Sequence, residues 1–455
     1  MKSILYCFLI ILLISGCKKL IDVGSPKNQL TTDKVFADTS SATAAIGNIY
    51  AQLDKTVESN LSINLDLYSD NLNYTGSTQQ DLEYLRSSVS SNNTSDLTLW
   101  QNLYFVIYQC NDLIGQLSKS RNIPANFSGH LTGEARFLRA YAYFLLANIY
   151  GNVPVLLTTD VNVNSKASQA NSQAVYQQVI NDLITAGKEL PNGYTGGGRV
   201  RANTWSAMAL LAKVYLFQNN WTQAEIQASA VINSGLYTPL TSCANTFLAN
   251  SSETILQIWN QDGFTTSAVF TVPQSPADLP LYPVTSSLIN SFEPGDLRNT
   301  NWIGTSTVSG ISGTSTYFYF NKYKNRMANS SNPEYLTLLR IADTYLVRAE
   351  ARANLGKVLG AGGAEEDVNT IRARAGLSNT LANNKADMLK AIAQERRVEL
   401  FGEWGNRFFD LKRTGNLDKV IGVQKTTWLS SGQLLPIPLN ELTYDSHMIQ
   451  NPGYH

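Results

Sequence analysis

Two carboxylates on one predicted helix are the first residues in this chain that could do chemistry. Glu399 and Glu403 are four positions apart, so they share a helix face and could act as the acid and base of a glycoside hydrolase. The same segment carries Arg396, Arg397 and Arg407. Neighbouring cations keep carboxylates ionised and unable to donate protons. We therefore predict an ion-pair network and no enzyme, with a surface glycoside hydrolase as the alternative.

Other catalytic patterns are missing from the sequence. It has no Ser-His-Asp or Cys-His arrangement and no phosphate-binding glycine loop. The three histidines, His130, His447 and His455, lack metal-ligand spacing. We predict no cofactor. Scattered Asp and Asn residues would be compatible with a loop calcium ion but show no ordered ligand spacing.

Aromatic residues in irregular segments suggest binding instead, because neutral sugars stack on exposed aromatic faces and form hydrogen bonds with amides, carboxylates and Arg. Two segments qualify, the polar loop around 68–86 and a long insertion. The candidate ligand residues are Tyr68, Asp70, Asn71, Tyr74, Asp81, Tyr84 and Arg86 in the loop, and Trp259, Asn260, Trp302, Tyr317, Tyr319 and Tyr323 in the insertion. By contrast Trp100, Trp205 and Trp221 lie on helical stripes, which predicts core packing.

The charge balance excludes one class of partner. Lys plus Arg and Asp plus Glu each number 35, so no net field favours nucleic acid. Charged residues make up only 15% of the chain, against a typical ~25%. The predicted surface is polar but weakly charged, which suits neutral glycans or peptides.

The first residues resemble a bacterial lipoprotein signal. Lys2 is followed by an apolar run to Ile14, too short to span a bilayer, and then by Ser15, Gly16 and Cys17. We predict removal of residues 1–16, lipidation of Cys17 and a tether over 17–40. An ordinary secretory signal is the alternative. Cys110 and Cys243 then remain in the body, where we favour two buried thiols over a disulfide.

An internal repeat indicates the architecture. The pattern from Ala142 to Tyr150 recurs 65 residues later, from Ala207 to Tyr215, and a weaker copy begins at Ala342. That offset is near two tetratricopeptide units of ~34 residues. We predict an all-α dominated, tetratricopeptide-like helical repeat scaffold within 41–236 and 334–413. A loop-rich insertion at 237–333 and a C-terminal segment at 414–455 complete it.

Several motifs, in their order, resemble the SusD/RagB family over nearly the whole mature chain. They are GEARFLRAY at 133–141, LRIADTYL at 339–346, ERRVELFGE at 395–403, RFFDLKR at 407–413, LPIP at 435–438 and NPGY at 451–454. Leu20, Ile21 and Asp22 after the signal fit the same family.

The resemblance implies a cell-surface lipoprotein of the outer membrane, built on about four helix pairs. It also implies a non-enzymatic protein that passes oligosaccharide or peptide ligands to a SusC-like, TonB-dependent barrel. The motif residues are scaffold residues and do not name the ligand: Arg136, Arg139, Arg340, Glu395, Arg396, Arg397, Glu399, Glu403, Arg407 and Asp410. A periplasmic helical-repeat scaffold is the remaining alternative.

Overall fold

The computed structural model describes residues 36–311 and 313–454, without the side chains of residues 57–60. The predicted signal, Cys17 and most of the tether lie outside the described residues. Within them, none of the helices combines the length and the apolar character needed to cross a bilayer.

Helices dominate the described residues. In chain order they are α1 Thr39–Asn60, α2 Ser62–Tyr68, α3 Gln79–Leu85, α4 Thr94–Leu117, α5 Ala125–Tyr150, α6 Val161–Asn164, α7 Ser172–Glu189, α8 Thr204–Phe217, α9 Trp221–Asn233, α10 Thr266–Thr271, α11 Ser286–Ile289, α12 Leu297–Trp302, α13 Ile341–Asn354, α14 Ala364–Arg374, α15 Lys385–Leu400, α16 Asn406–Arg413, α17 Leu417–Gln424 and α18 Leu439–Tyr444.

The long helices stack in sequence order. Contacts run from α1 to α4, then through α5, α7, α8 and α9 to α13, which packs on α14 and α15. Asparagines start several of them: Asn93 caps α4, Asn171 caps α7 and Asn203 forms a capping box with Ser206 on α8. The stacked helices bury a large apolar core and a smaller separate cluster between α13, α14 and α15, which confirms the predicted repeat scaffold.

The repeated alanine pattern lies on α5 and α8. Its small side chains are buried where the helices approach, as at Ala142 and Ala207. The spacing prediction of two repeat units was wrong, because only one long helix, α7, lies between the copies. The excursion at 151–171, which holds α6, lengthens that single unit.

Strands occur mainly in the insertion. They are β1 Val153–Pro154, β2 Gln169–Ala170, β3 Thr254–Ile258, β4 Ile303–Gly310, β5 Gly313–Phe320 and β6 Leu336–Arg340. All three pairs, β1 with β2, β3 with β6 and β4 with β5, are antiparallel. The β4–β5 hairpin was not anticipated. The segment before α4, which was expected to be a loop, contains the helices α2 and α3. Its polar residues form local, buried hydrogen bonds, as between Asn71 and Asp66.

The C-terminal segment returns to the scaffold. Asn451 donates its side-chain amide to the carbonyls of Tyr150 and Leu435, at 2.9 and 2.7 Å. Cys110 and Cys243 are both free and buried, which confirms the thiol prediction. Burial raises the pKa of both thiols, so neither is activated as a nucleophile.

Candidate functional site

The two segments singled out for ligand contact meet in the folded protein. Asn73 N donates to Pro283 O at 2.7 Å and Thr75 N to Leu281 O at 3.1 Å, so 71–75 lies alongside 281–285. Val284 N in turn donates to Phe318 O of β5 at 2.7 Å. Backbone pairing therefore joins the early loop, the insertion and the hairpin into one surface.

An aromatic corner forms where these segments join, defined by Tyr74, Tyr282 and Asp81. The rings of Tyr74 and Tyr282 stack with centroids 5.4 Å apart and an interplanar angle of 24°. Tyr282 Oη donates to Asp81 Oδ2 at 3.2 Å, and Thr78 N donates to Tyr74 Oη at 3.1 Å. Tyr282 is buried beneath Tyr74, whose half-buried ring is held in one orientation.

Burial dominates the electrostatics of the corner. It raises the pKa of Asp81, and hydrogen bonds from Tyr74 and Tyr282 only partly offset that rise. It also raises the pKa of Tyr282, which keeps the hydroxyl protonated as a donor. Exposed Asn73 and Ser77 flank the ring. The arrangement can stack one face of a polar ring and bond its hydroxyl groups.

The hairpin tyrosines lie on the neighbouring surface. Tyr317 and Tyr319 are half-buried on one face of β5, opposite Ser306 and Gly304 of β4. A Cβ at Gly304 would lie 2.2 Å from the Tyr319 ring, so that ring rests directly on the glycine. Both residues remain candidates for ligand contact.

Six of the candidate ligand residues, including Tyr323, are buried, which corrects the expectation that they face a ligand. Tyr68, Asp70, Asn71, Tyr84 and Trp302 are at most 2% exposed. Tyr68 packs edge-on against Tyr84 and donates to Gly432 O at 2.8 Å, while Asn71 donates to Asp66 at 2.6 Å. Trp302 donates to Cys243 O at 2.7 Å. These hydrogen bonds are made within the fold, while Tyr84 Oη and Asn71 Oδ1 are buried without a hydrogen-bond partner among the described residues. Tyr323, also proposed at first, is 5% exposed.

Two other candidates are exposed but stand apart from the corner. Trp259 is 57% exposed and follows β3. Among the described residues, no hydrogen bond or ring contact joins it to Tyr74 or Tyr282. Arg86 is exposed, and its carbonyl accepts from Thr427.

Tyr282 was missed from the sequence. It lies between Leu281 and Pro283 in a run without helical or strand periodicity. An aromatic residue beside proline in an irregular segment was the available signal. Its hydrogen-bond partner Asp81 lies 201 positions earlier in the chain, so no local pattern reveals the contact.

Asp70 anchors the backbone that carries the corner. It accepts from Arg397 Nη2 at 2.6 Å and from Arg407 Nε at 2.7 Å, while its carbonyl accepts from Thr285 at 2.6 Å. These bonds tie 70–74 and 285–287 to α15 and α16. Burial opposes ionisation of Asp70, but hydrogen bonding and charge from Arg407 and Arg397 outweigh it and hold the pKa at about 2.

Asp70→Asn tests this anchor through its pH dependence. Because the folded pKa of about 2 lies below the unfolded value of 3.8, ionised Asp70 stabilises the fold above about pH 4, and this contribution is lost as the pH falls through about 2. We expect the variant to lose about 2 kcal/mol of unfolding free energy at pH 7. Urea titrations of both proteins between pH 7 and 2 should show the difference shrinking with acidification. A difference independent of pH would contradict the assignment.

A buried ion network lies deeper, between the insertion and the scaffold. Arg298, Arg340 and Arg374 all contact Glu399, and Arg340 and Lys322 contact Glu403. Burial opposes ionisation of both glutamates, yet the surrounding cations hold both pKa values below the ordinary range. This confirms that both glutamates are ion-paired, but the partners were predicted wrongly, because Arg396, Arg397 and Arg407 of their own segment pair with Asp343, Asp410 and Asp70. Neither carboxyl is a proton donor, and neither is open to a substrate.

The remaining family motif residues also form internal pairs. Arg139 binds Asp182 through two bonds of 2.9 and 2.6 Å, and Arg136 lies 3.3 Å from Glu189. Elsewhere Glu395 pairs with Arg298 and Arg372, and Arg396 and Arg413 pair with Asp410. Among the described residues, no group of three or more His, Cys, Asp or Glu side chains could hold a metal ion.

Gly76→Ala tests whether the orientation of Tyr74 matters. A Cβ at position 76 would overlap the Oη, Cζ and Cε2 atoms of Tyr74, so the ring must move. We expect the affinity for a ligand that stacks on Tyr74 to fall several-fold, with a change in unfolding free energy below about 1 kcal/mol. Calorimetric titration and thermal unfolding check the two values. The matched control is Gly47→Ala, where a Cβ meets nothing within 4 Å. Unchanged affinity in Gly76→Ala would mean that the position of Tyr74 is irrelevant.

Comparison with known proteins places this tetratricopeptide-like scaffold in a family. A family model described as "Starch-binding associating with outer membrane" matches residues 19–216, and one described as "SusD family" matches 285–454. The chain belongs to the SusD family.

Relatives cover almost the entire chain. SusD-like protein P38 of Formosa agariphila is 24% identical across 99% of this chain and 98% of its own length. A SusD superfamily protein from Bacteroides vulgatus superposes with a TM-score of 0.81 at 19% identity, covering 92% of this chain and 99% of the other. A laminarin-binding SusD-like protein superposes with a TM-score of 0.76 at 27% identity, covering 91% and 99%.

Proposed function

We propose that this protein captures a neutral oligosaccharide on the aromatic corner, without changing it covalently, and delivers it to a TonB-dependent barrel transporter of the outer membrane. The observation that carries the proposal is the Tyr74–Tyr282 stack with its hydrogen bond to Asp81. A rigid aromatic face bordered by uncharged polar groups suits a sugar ring, because stacking covers the C–H face while hydroxyl groups reach the rim.

The relatives support a glycan over a peptide. The solved relative at 27% identity is named for binding laminarin, and the family model over residues 19–216 is named for starch binding. Both are neutral glucans. The low content of charged residues in this chain, 15%, favours the same ligand class here.

The hydrolase alternative loses its motivation. It depended on Glu399 and Glu403, which are 0% and 6% exposed and paired with arginine and lysine. Hydrolysis requires a carboxyl whose pKa is raised enough to hold a proton, whereas the pKa of both groups is lowered.

Calorimetric titration tests ligand capture. The probes are laminarin, starch, xylan and galactan oligosaccharides, with an acidic pectin fragment and a peptide digest as contrasts. We expect saturable binding of at least one neutral glycan and no release of shorter products. Binding confined to peptides, or product release, would overturn the assignment.

Delivery and anchoring need a separate experiment. The protein, tagged at its C-terminus, is extracted from outer membranes with detergent and recovered with its partners. We expect a barrel transporter in near-equal amount, and loss of membrane attachment in Cys17→Ser. Protease treatment of intact cells should cleave the surface-anchored protein. Complete protection would favour the periplasmic scaffold.

A further inference from the structure

A cavity lies among the helices of the scaffold and does not involve the residues of the aromatic corner. It has a volume of about 380 Å³ and opens between the start of α9, α13, α15 and α16. Trp221, Asn354, Ala393 and Asn416 line it, and Arg396 contributes a wall that is only 2% exposed. Trp221 was expected in the core, but it is half-buried and borders this opening.

One donor in the cavity wall is unsatisfied. Arg396 Nε donates to Asp410 at 2.8 Å and Nη1 to Asp343 at 2.9 Å. Its Nη2 group is buried and has no hydrogen-bond partner among the described residues. A buried unpaired donor costs about 1–3 kcal/mol, and Arg396 is one of the residues that line the cavity.

The cations that line the cavity are paired with carboxylates. Arg413 binds Glu350 through two bonds of 2.5 and 2.7 Å and donates to Asp410 at 2.8 Å. Lys390, on the rim, is 3.1 Å from Asp387. Each cation that lines the cavity therefore has a carboxylate partner, and neither an anionic nor a cationic ligand is favoured.

We propose that this cavity is a second carbohydrate site, which takes one ring of a neutral sugar against Trp221 and offers it the side-chain amide oxygens of Asn354 and Asn416. The Nδ2 groups of the two asparagines donate to Glu350 O and Thr414 Oγ1, both at 3.0 Å. The chemistry resembles that of the aromatic corner but uses different elements. The two sites lie on different faces of α15. Arg397 pairs with Asp70, which anchors the aromatic corner, whereas Arg396 pairs with Asp410 at the cavity. Two sites on one protein would hold a long glycan at two points and raise its apparent affinity.

The test uses free monosaccharides, so that it does not depend on which glycan the corner prefers. Saturation-transfer NMR is recorded with glucose, galactose, xylose and mannose on the full-length protein carrying Tyr74→Ala, which removes the corner. We expect transfer to at least one sugar to persist. Adding Ala393→Leu, which fills the cavity opening without removing a hydrogen bond, should reduce that transfer several-fold.

Matched variants keep the result interpretable. Ala386→Leu adds the same apolar volume at an exposed position of α15 and should leave transfer unchanged. Trp221→Ala should reduce transfer as Ala393→Leu does, with thermal unfolding recorded for both. Loss of all transfer in Tyr74→Ala alone, or transfer unaffected by Ala393→Leu, would overturn this proposal. Whether the aromatic corner binds a glycan is tested separately, by the calorimetric titration of the wild-type protein.

Discussion

Replacing Glu399 by Gln is expected to lower the free energy of unfolding by about 3–5 kcal/mol, the usual cost of removing one partner from a buried ion pair. Glu399 is fully buried on α15, and its two oxygens contact Arg298, Arg340 and Arg374. The neutral amide leaves three guanidinium groups with less compensating charge in a region that water does not reach. Urea unfolding at neutral pH measures the loss.

Glu366→Gln is the matched control. Its side chain is 58% exposed and lies 3.8 Å from Arg352, so water already screens the pair. Exposed pairs contribute about 0–1 kcal/mol. Equal unfolding free energies for the Glu399 and Glu366 variants would contradict a structural role for the buried ion network.

The same substitution separates scaffold from catalysis. If Glu399 were catalytic, Glu399→Gln would remove turnover and leave the fold intact. If it is structural, the protein loses stability while the remaining folded fraction keeps its ligand affinity. Titration of a glycan ligand at low temperature, where the variant is still folded, distinguishes these outcomes.

Tyr74→Ala is expected to have the largest effect on ligand binding. The ring of Tyr74 is the accessible member of the stack, and it covers the buried ring of Tyr282. Removing a central aromatic contact typically costs about 2 kcal/mol of binding free energy, or roughly a 30-fold loss of affinity. Calorimetric titration of the neutral glycan that binds the wild-type protein measures it.

The control for Tyr74→Ala is Tyr444→Ala. Tyr444 is 84% exposed at the end of α18, so it tests whether any surface tyrosine contributes. We expect its affinity to match the wild type. A Tyr74→Ala variant that is folded, by its thermal transition, and still binds with wild-type affinity would remove the corner from the proposed function.

The scaffold followed from the sequence because its signals are local. Alanine and leucine at helical spacing marked α5 and α8, since close helix packing needs small side chains at regular positions. The arginines close to Glu399 and Glu403 led to the prediction of ion pairing, but those arginines are not the partners. Glu399 pairs with Arg298, Arg340 and Arg374 from other segments. Arg396 and Arg397 pair with Asp410 and Asp70 instead. The motifs of ERRVELFGE and RFFDLKR then led to the family.

The ligand surface followed only in part. Tyr74 and Asp81 were identified, yet their neighbours Tyr68, Asp70, Asn71 and Tyr84 turned inward. Polarity alone predicts exposure, and it fails when buried arginines and amides from distant helices satisfy polar groups. Asp70 illustrates this, because Arg397 and Arg407 are more than 300 positions away in the chain.

The sequence by itself determined the helical repeats and the resemblance to one family, because periodicity and motifs lie within single segments. It indicated that Glu399 and Glu403 are ion-paired, but only the tertiary structure decided that their partners come from other segments. The tertiary structure decided which aromatic residues are exposed, that Tyr282 stacks on Tyr74, and that Trp221 borders a cavity. Each of these depends on contacts between segments far apart in the chain. Burial is a property of the assembled layers, so no local pattern could supply it.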